Sequence, residues 1–266
     1  MSEKALNVKD FRRMKSEGIP ITALTAYDAL FATFLDEAGI DLILVGDSLG
    51  NVFQGRETTL PVTLEEMIYH GEIVARVVAR AFVLVDMPFM SYQASEEEAV
   101  KNAGQIMKKT CADGVKLEGG VTMLNTIRRI VNVGIPVLGH IGLTPQSVNV
   151  FGGYGVQGRN NRTRIIDDAR AVEEAGAFAV VMEKIPRDLA REITGMLAIP
   201  TIGIGAGPHC DGQILVTQDM LGLTRAFHPK FVRAYADLAD TVIQGLAGYS
   251  EDVKNRRFPS ENESYE

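Results

Sequence analysis

The chain has 266 residues, of which 46% are hydrophobic and 23% charged, so neither a disordered chain nor a fibrous repeat is expected. Its net charge of −7 comes from acidic and basic residues mixed along the chain, which argues against nucleic-acid binding because that needs a concentrated basic face. The N-terminus lacks the apolar segment of a secretory signal and no stretch reaches the ~18 apolar residues of a membrane span, so we expect a cytoplasmic protein.

Short apolar or β-branched runs, of the kind that form strands covered on both faces, recur along the chain. Eight of them are found, at residues 21–26, 42–47, 82–87, 114–119, 136–142, 178–183, 201–206 and 213–219. Amphipathic helical segments separate most of these runs, at residues 28–39, 63–79, 95–112, 122–134, 164–176 and 186–197. Such alternation predicts βαβ units, and eight units in this length favour an α/β (β/α)₈ TIM barrel over a doubly wound sheet.

The chain is predicted to be a single barrel domain over residues 1–266, with an N-terminal helix. Only residues 207–212 separate the seventh and eighth runs, although a parallel crossover normally needs a dozen or more residues. A helical pattern resumes at 228–249, and the polar segment from about 250 to 266 is predicted to be a loose arm.

Charged side chains close several successive runs, at the ends of strands where the active sites of such barrels form. They are Asp47, Asp86, Lys116, Glu118, His140 and Glu183. A single acid at a strand end is as readily explained as a cap of the next helix or turn. Two carboxylates at one mouth, however, repel each other unless a cation lies between them, and Mg²⁺ commonly takes one or two carboxylates. We therefore predict that Asp47 and Asp86 bind a divalent metal ion.

Lys116 and Glu118 are two residues apart in one strand and therefore share a face. A plain surface ion pair is the alternative interpretation, but an unpaired lysine within an apolar strand would be costly. We expect Lys116 to bind an anionic substrate or a developing enolate oxygen, and Glu118 to reach the metal through water.

His140 is interpreted either as a hydrogen-bonded core histidine or as a residue that supports the metal ligands. Glu183 shares its face with Ala179 and Val181, and a carboxylate among apolar neighbours suits a general base near neutral pH. The alternative for Glu183 is a salt-bridged helix cap.

Two glycine-rich segments and two cysteines complete the motifs. Residues 152–161 are interpreted as a lid over the mouth or as an ordinary surface loop. Residues 203–212 lack the GxGxxG spacing and the following helix of a dinucleotide site. Cys111 and Cys210 form no CxxC pair, so we interpret both as reduced thiols rather than as part of a disulfide framework or zinc site.

Taken in order, "VGDSLGNVFQG", "TTLPVTLEEM", "VDMPFMSY", "VKLEGG", "GHIGLTPQSV", "GGYGVQG" and "GIGAGPHCDGQILV" resemble the ketopantoate hydroxymethyltransferase family. The resemblance implies a barrel of the phosphoenolpyruvate and pyruvate-binding type, Mg²⁺ dependence and a cytoplasmic homodecamer. It also implies a role in pantothenate and coenzyme A synthesis, with 5,10-methylenetetrahydrofolate as the cosubstrate and 3-methyl-2-oxobutanoate as the acceptor.

The same resemblance assigns roles to residues of this chain. Asp47 and Asp86 are expected to hold the metal, and Glu118 belongs to its surroundings. Asp47, Asp86, Ser48 and Lys116 are expected to contact the oxo acid. Glu183 is expected to accept the substrate proton.

Two other functions remain open on the sequence. A metal-dependent 2-oxo acid lyase or mutase of the same barrel type would cleave or rearrange a similar substrate instead of transferring a one-carbon unit. A barrel that only senses a metabolite would show no turnover, since one fold hosts many functions.

Overall fold

The structure, a computed structural model, describes residues 5–225 and 229–266. The chain divides into two compact units, one ending at Val216 and the other spanning Thr217–Glu266. The single-domain organisation stays a prediction, and His228, where the last helical pattern begins, lies outside the described residues. Within the described part of the chain, no helix combines the length and the apolar character required to cross a bilayer.

The first unit is a closed barrel of eight parallel strands, which confirms the predicted fold. The strands are β1 (Ile21–Thr25), β2 (Leu42–Val45), β3 (Phe82–Asp86), β4 (Gly114–Glu118), β5 (Val137–Gly142), β6 (Ala179–Glu183), β7 (Thr201–Ile204) and β8 (Gly212–Leu215). They pair in chain order, and β8 closes the barrel against β1. All the C-terminal strand ends therefore meet at one rim.

Helices follow the strands at most positions. They are α1 (Val8–Glu17), α2 (Ala29–Glu37), α3 (Leu49–Val52), α4 (Leu64–Val77), α5 (Glu96–Thr110), α6 (Leu124–Asn132), α7 (Val148–Phe151), α8 (Arg162–Glu174) and α9 (Arg187–Met196). Single 3₁₀ turns precede α6 and α7, at Val121–Met123 and Pro145–Ser147. Side chains of Asn7, Asp28, Thr63 and Ser95 accept backbone N–H bonds in the first turns of α1, α2, α4 and α5, which explains where these helices begin.

The connection between β7 and β8 contains no helix, yet the two strands are parallel. Strand β7 has four residues, so the chain must travel back only ~13 Å to start β8 at the same level. The residues 205–211 can span up to ~23 Å when extended. A short strand thus removes the need for a crossover helix.

The prediction that the eighth strand extends to residue 219 is wrong. Strand β8 ends at Leu215, because its pairing partner β1 continues only to Thr25, and the chain turns into α10 (Thr217–Met220). In the second unit, α11 (Leu238–Lys254) starts later than the predicted helix and continues past residue 250 into the expected arm. Its last turn carries Lys254, a good helix former that also complements the helix dipole.

Carboxylates hold the N-terminal rim of the barrel together. Asp41, just before β2, accepts hydrogen bonds from the backbone N–H (3.0 Å) and hydroxyl (2.8 Å) of Thr22 in β1. Asp211, just before β8, binds Thr201 of β7 in the same way, at 2.8 and 3.0 Å. Lys15 of α1 also donates to Asp211, at 2.7 Å. These contacts secure the rim opposite the strand ends, where stability rather than chemistry is expected.

Helix α1 packs against the bottom of the barrel core. The ring of Phe11 lies 5.4 Å from that of Phe82 and 5.8 Å from that of Phe178, measured between centroids. Apolar side chains from seven of the eight strands fill the space above them, including Leu44, Leu84 and others of the same kind. The lower barrel is therefore a packed apolar core, and only its upper rim is available for polar chemistry.

Candidate active site

The inward faces of three strands change from apolar to charged at the upper rim. Leu84 is followed two residues later by Asp86, Leu138 by His140, and Val181 by Glu183. Because side chains alternate along a strand, each charged residue lies on the same face as the core residue that precedes it. The candidate site thus lies directly above the packed core.

Asp86 and Lys116 occupy neighbouring positions on β3 and β4 and form a buried ion pair. The Lys116 Nζ atom lies 2.5 Å from Asp86 Oδ2, and the two side chains are only 5% and 1% exposed. The structure thus pairs Lys116 with Asp86, and the surface-pair interpretation of Lys116 with Glu118 is wrong. The second Asp86 oxygen, Oδ1, has no hydrogen-bond donor among the described residues.

The protonation equilibria of this pair are strongly perturbed. Burial raises the pKa of Asp86 to about 7, with Lys116 acting in the opposite direction and the Asp47 and Glu118 charges adding to the rise. Burial lowers the pKa of Lys116, but Asp86, Glu118 and Asp47 raise it by more, so that it lies above its ordinary value. A permanent cation therefore sits among three carboxyl groups.

Asp47 lies in the turn that follows β2, beside Asp86. Its backbone N–H donates to Asp86 Oδ2 at 3.4 Å, and its own Oδ2 accepts a hydrogen bond from Gln146 Nε2 at 3.0 Å. Helix α3 receives no side-chain cap from the preceding Ser48. Ser48 instead shares a 2.7 Å hydrogen bond between its hydroxyl and that of Tyr27.

His140 lies between two glutamates. Its Nδ1 is 3.5 Å from Glu118 Oε1, and its Nε2 is 3.3 Å from Glu183 Oε2. Neither contact has hydrogen-bond alignment, and both ring nitrogens are buried without another partner in the described chain. Burial and Lys116 lower the pKa of His140, but the two glutamates outweigh them and raise it to about 9. A protonated His140 would thus carry a second positive charge at the mouth, between Glu118 and Glu183.

The sequence prediction missed Gln146 and Tyr92. Gln146 lies in the Pro145–Ser147 turn after β5, is buried, and bonds Asp47. Tyr92 is buried in the segment after β3, and its hydroxyl donates to Gln146 Oε1 at 2.7 Å. Periodicity cannot reveal such residues, since they lie in turns. A polar residue in a short connection at the C-terminal rim is the signal that would have indicated them.

The glycine-rich segment 152–161 is anchored to the end of β6 through Lys184. Lys184 Nζ donates to the Tyr154 carbonyl at 2.9 Å, and the Gln157 N–H donates to the Lys184 carbonyl, also at 2.9 Å. Burial raises the pKa of Tyr154, and the charges of Asp47 and Glu183 add to that rise. The segment therefore lies within electrostatic range of the mouth, and its function as a lid stays a prediction.

The carboxylates are compatible with a hard divalent cation. Asp86 Oδ1 and Glu118 Oε1 are buried and accept no hydrogen bond from the described residues, which is unusual for carboxylate oxygens. No cage of three or more His, Cys, Asp or Glu ligands is formed in the described ranges. Mg²⁺ does not need one, because it usually takes one or two carboxylates and keeps waters and substrate oxygens as its remaining ligands.

Comparison with known proteins identifies close sequence relatives. A family model described as ketopantoate hydroxymethyltransferase matches residues 5–261. The 3-methyl-2-oxobutanoate hydroxymethyltransferase of Chlorobium phaeobacteroides (strain DSM 266 / SMG 266 / 2430) is 57% identical over 258 residues, which cover 95% of this chain and 93% of the relative. The protein of the same name from Thermoanaerobacter sp. (strain X514) is 51% identical, covering 99% and 97% of the two chains.

Solved structures with low sequence identity share the barrel. A phosphoenolpyruvate phosphomutase from Streptomyces platensis subsp. rosaceus superimposes with a TM-score of 0.63 at 13% identity, covering 94% of this chain and 88% of that one. A 2,3-dimethylmalate lyase of the PEP mutase/isocitrate lyase superfamily gives 0.59 at 16% identity, covering 97% and 91%. These likenesses confirm the predicted barrel type and concern the fold alone.

Proposed function

Because this chain belongs to the ketopantoate hydroxymethyltransferase family, we propose that it transfers a hydroxymethyl group to 3-methyl-2-oxobutanoate, giving 2-dehydropantoate. The donor in this proposal is 5,10-methylenetetrahydrofolate, and one water is consumed as tetrahydrofolate is released. The observation that carries the proposal is the buried ion pair of Asp86 with Lys116 beside the Glu118, His140 and Glu183 cluster. It combines a fixed cation for a developing oxyanion with a carboxylate for proton removal.

Asp47 and Asp86 are the residues that would hold Mg²⁺, with Glu118 in its surroundings. The donor-free Asp86 Oδ1 and Glu118 Oε1 support this assignment, since both are buried oxygens without a hydrogen-bond partner in the described structure. When bound, the ion would supply Lewis-acid polarisation of the keto oxygen of the oxo acid.

Lys116 and Ser48 are proposed to bind the oxo acid. Lys116 is held by Asp86 and remains charged, so it provides a positive charge for the negative charge that develops on the keto oxygen. The position of the Ser48 hydroxyl is fixed by its hydrogen bond to Tyr27. Because both groups are in place before substrate enters, little reorganisation would accompany the reaction.

Glu183 is proposed to take the proton from C3 of the oxo acid. The resulting carbon nucleophile attacks the methylene carbon carried by folate, and hydrolytic release of tetrahydrofolate leaves the new hydroxymethyl group. His140, 3.3 Å from Glu183 Oε2, is positioned to orient this carboxylate.

Deuterium exchange at C3 of the oxo acid tests the base. Glu183→Gln should exchange more slowly by ~10²–10⁴-fold, the usual contribution of a general base, while still binding substrate and metal. Glu174→Gln, at a position whose side chain is 68% exposed, is the matched control and should exchange normally. Wild-type exchange rates in Glu183→Gln would remove Glu183 from this role.

Calorimetric titration with Mg²⁺ tests the metal ligands. Asp47→Ala and Asp86→Ala should each weaken binding, whereas Asp188→Ala, at an exposed aspartate of α9, should not. Unchanged affinity in both of the first two variants would contradict the metal assignment.

The overall reaction separates this proposal from its alternatives. Mixing the oxo acid with methylene folate should release tetrahydrofolate, which neither a lyase nor a mutase would do, and a metabolite sensor would show no turnover. The homodecamer and the cytoplasmic location implied by the family resemblance remain predictions, to be tested by light scattering and by cell fractionation.

A further inference from the structure

We infer that Gln146 is a positioning residue of the proposed metal site, fixing Asp47 through its side-chain amide and Glu118 through its backbone N–H. The inference rests on the proposed function, since it concerns the same carboxylates. It adds a residue that makes no contribution as a ligand and whose effect is exerted through two others.

The contacts of Gln146 connect the C-terminal ends of several strands. Its Nε2 donates to Asp47 Oδ2 and to the carbonyl of Met87, each at 3.0 Å. Its backbone N–H donates to Glu118 Oε2, also at 3.0 Å. Met87 directly follows Asp86 at the end of β3, so a single residue joins the segments that follow β2 and β3 to the end of β4.

The orientation of the Gln146 amide is determined by its surroundings. The Oε1 atom accepts hydrogen bonds from the Tyr92 hydroxyl at 2.7 Å and from Gln93 Nε2 at 3.1 Å. Rotating the amide by half a turn would place its oxygen against the acceptors Asp47 Oδ2 and Met87 O. All four hydrogen-bonding positions of the amide are thus used in one orientation only.

A neutral donor has a specific consequence at this position. Asp86 is oriented by the cation of Lys116, which partly offsets its negative charge. Asp47 is oriented by an uncharged amide, so its full negative charge remains available to a divalent cation. A lysine in place of Gln146 would orient Asp47 equally well but would repel the metal.

The turn that carries Gln146 is itself well defined. Pro145 begins the 3₁₀ turn at a position where its missing N–H costs nothing, and the N–H of Ser147 closes it on the Thr144 carbonyl at 2.9 Å. Gln146 is buried although it lies in a connecting segment. Its side chain is therefore held by packing as well as by hydrogen bonds.

Calorimetric Mg²⁺ titration of the substrate-free protein provides the first test. Gln146→Leu removes the amide and retains the backbone N–H that binds Glu118, so any effect must pass through Asp47 or the Met87 carbonyl. We expect the affinity for Mg²⁺ to fall ~10–100-fold, the usual effect of removing a partner that orients a metal ligand. Gln105→Leu on α5, where the glutamine bonds only Asn102 and Lys109, is the matched control and should bind Mg²⁺ like wild type.

A double-mutant cycle with Asp47→Asn separates positioning from general damage. If Gln146 acts through Asp47, the double variant Asp47→Asn/Gln146→Leu should bind Mg²⁺ no more weakly than Asp47→Asn alone. Losses that multiply in the double variant would overturn the inference, as would unchanged Mg²⁺ affinity in Gln146→Leu.

Crystal structures of the metal-free variants provide a reading that does not depend on Mg²⁺. In Gln146→Leu the Asp47 carboxylate should leave its present orientation. Gln146→Glu, which keeps size and polarity but places an acceptor against Asp47 Oδ2, should displace it as well and serves if the leucine variant does not fold. An unmoved Asp47 would overturn the positioning role, whereas a displaced Asp47 in a protein that binds no Mg²⁺ would contradict only the proposed metal site.

Discussion

Replacing Lys116 by methionine is predicted to destabilise the metal-free protein severely. The substitution preserves most of the side-chain volume but removes the ammonium group that lies 2.5 Å from Asp86 Oδ2. It leaves Asp86 buried without its ion-pair partner, and the charges of Asp47 and Glu118 already disfavour ionisation of this acid. Breaking a buried ion pair from one side costs about 3–5 kcal/mol, because the remaining charge is neither solvated nor compensated.

Thermal unfolding in the presence of EDTA, followed by circular dichroism, measures this effect. At about 2–4 °C per kcal/mol for a chain of this size, Lys116→Met should lower Tm by roughly 6–20 °C. Lys108→Met, the same substitution at an exposed position of α5, should leave Tm nearly unchanged. The double variant Lys116→Met/Asp86→Leu should recover much of the loss, because it leaves no unpaired charge. A Tm for Lys116→Met equal to that of Lys108→Met would refute the reasoning.

Three further predictions follow from the geometry. Gly142 and Gly134 both have φ of +91°, but an added Cβ would lie 2.3 Å from the Glu183 carbonyl oxygen at Gly142 and would meet no described atom within 4 Å at Gly134. Gly142→Ala should therefore lower Tm by more than Gly134→Ala and should also slow C3 exchange by displacing Glu183. Asp211→Ala should lower the stability by about 2–4 kcal/mol in urea unfolding without altering Mg²⁺ affinity, because it leaves the buried N–H of Thr201 without its acceptor. Removal of divalent ions by EDTA should abolish tetrahydrofolate release, and Mg²⁺ added in excess should restore it; turnover that persists in EDTA would contradict the metal requirement.

The strand pattern was sufficient to predict which charged residues converge, but not which pairs form. Asp86 and Lys116 each follow an apolar run with the period of a strand, so closure of the barrel places them side by side. The identity of the ion pair depends on strand register, which single-strand patterns do not contain. Gln146 lies farther from prediction, because its contacts require the turns after β2, β3 and β5 to meet in three dimensions. The end of β8 was likewise set by its partner strand, whose length the apolar run at 213–219 does not reveal.

The two rims of the barrel treat carboxylates in opposite ways, and this contrast is the physical basis for assigning chemistry to one of them. At the N-terminal rim, Asp41 and Asp211 each accept a backbone N–H and a threonine hydroxyl from the neighbouring strand, so their charge is used within the fold. At the C-terminal rim, Asp86 and Glu118 each have one oxygen bonded and one oxygen buried without a donor in the described chain. Buried acceptors without donors lower the stability of the protein unless something binds them, since each has lost its solvation. A cation that binds at this rim would therefore recover stability that the metal-free protein lacks, and Mg²⁺ should raise Tm in wild type but not in Asp86→Ala.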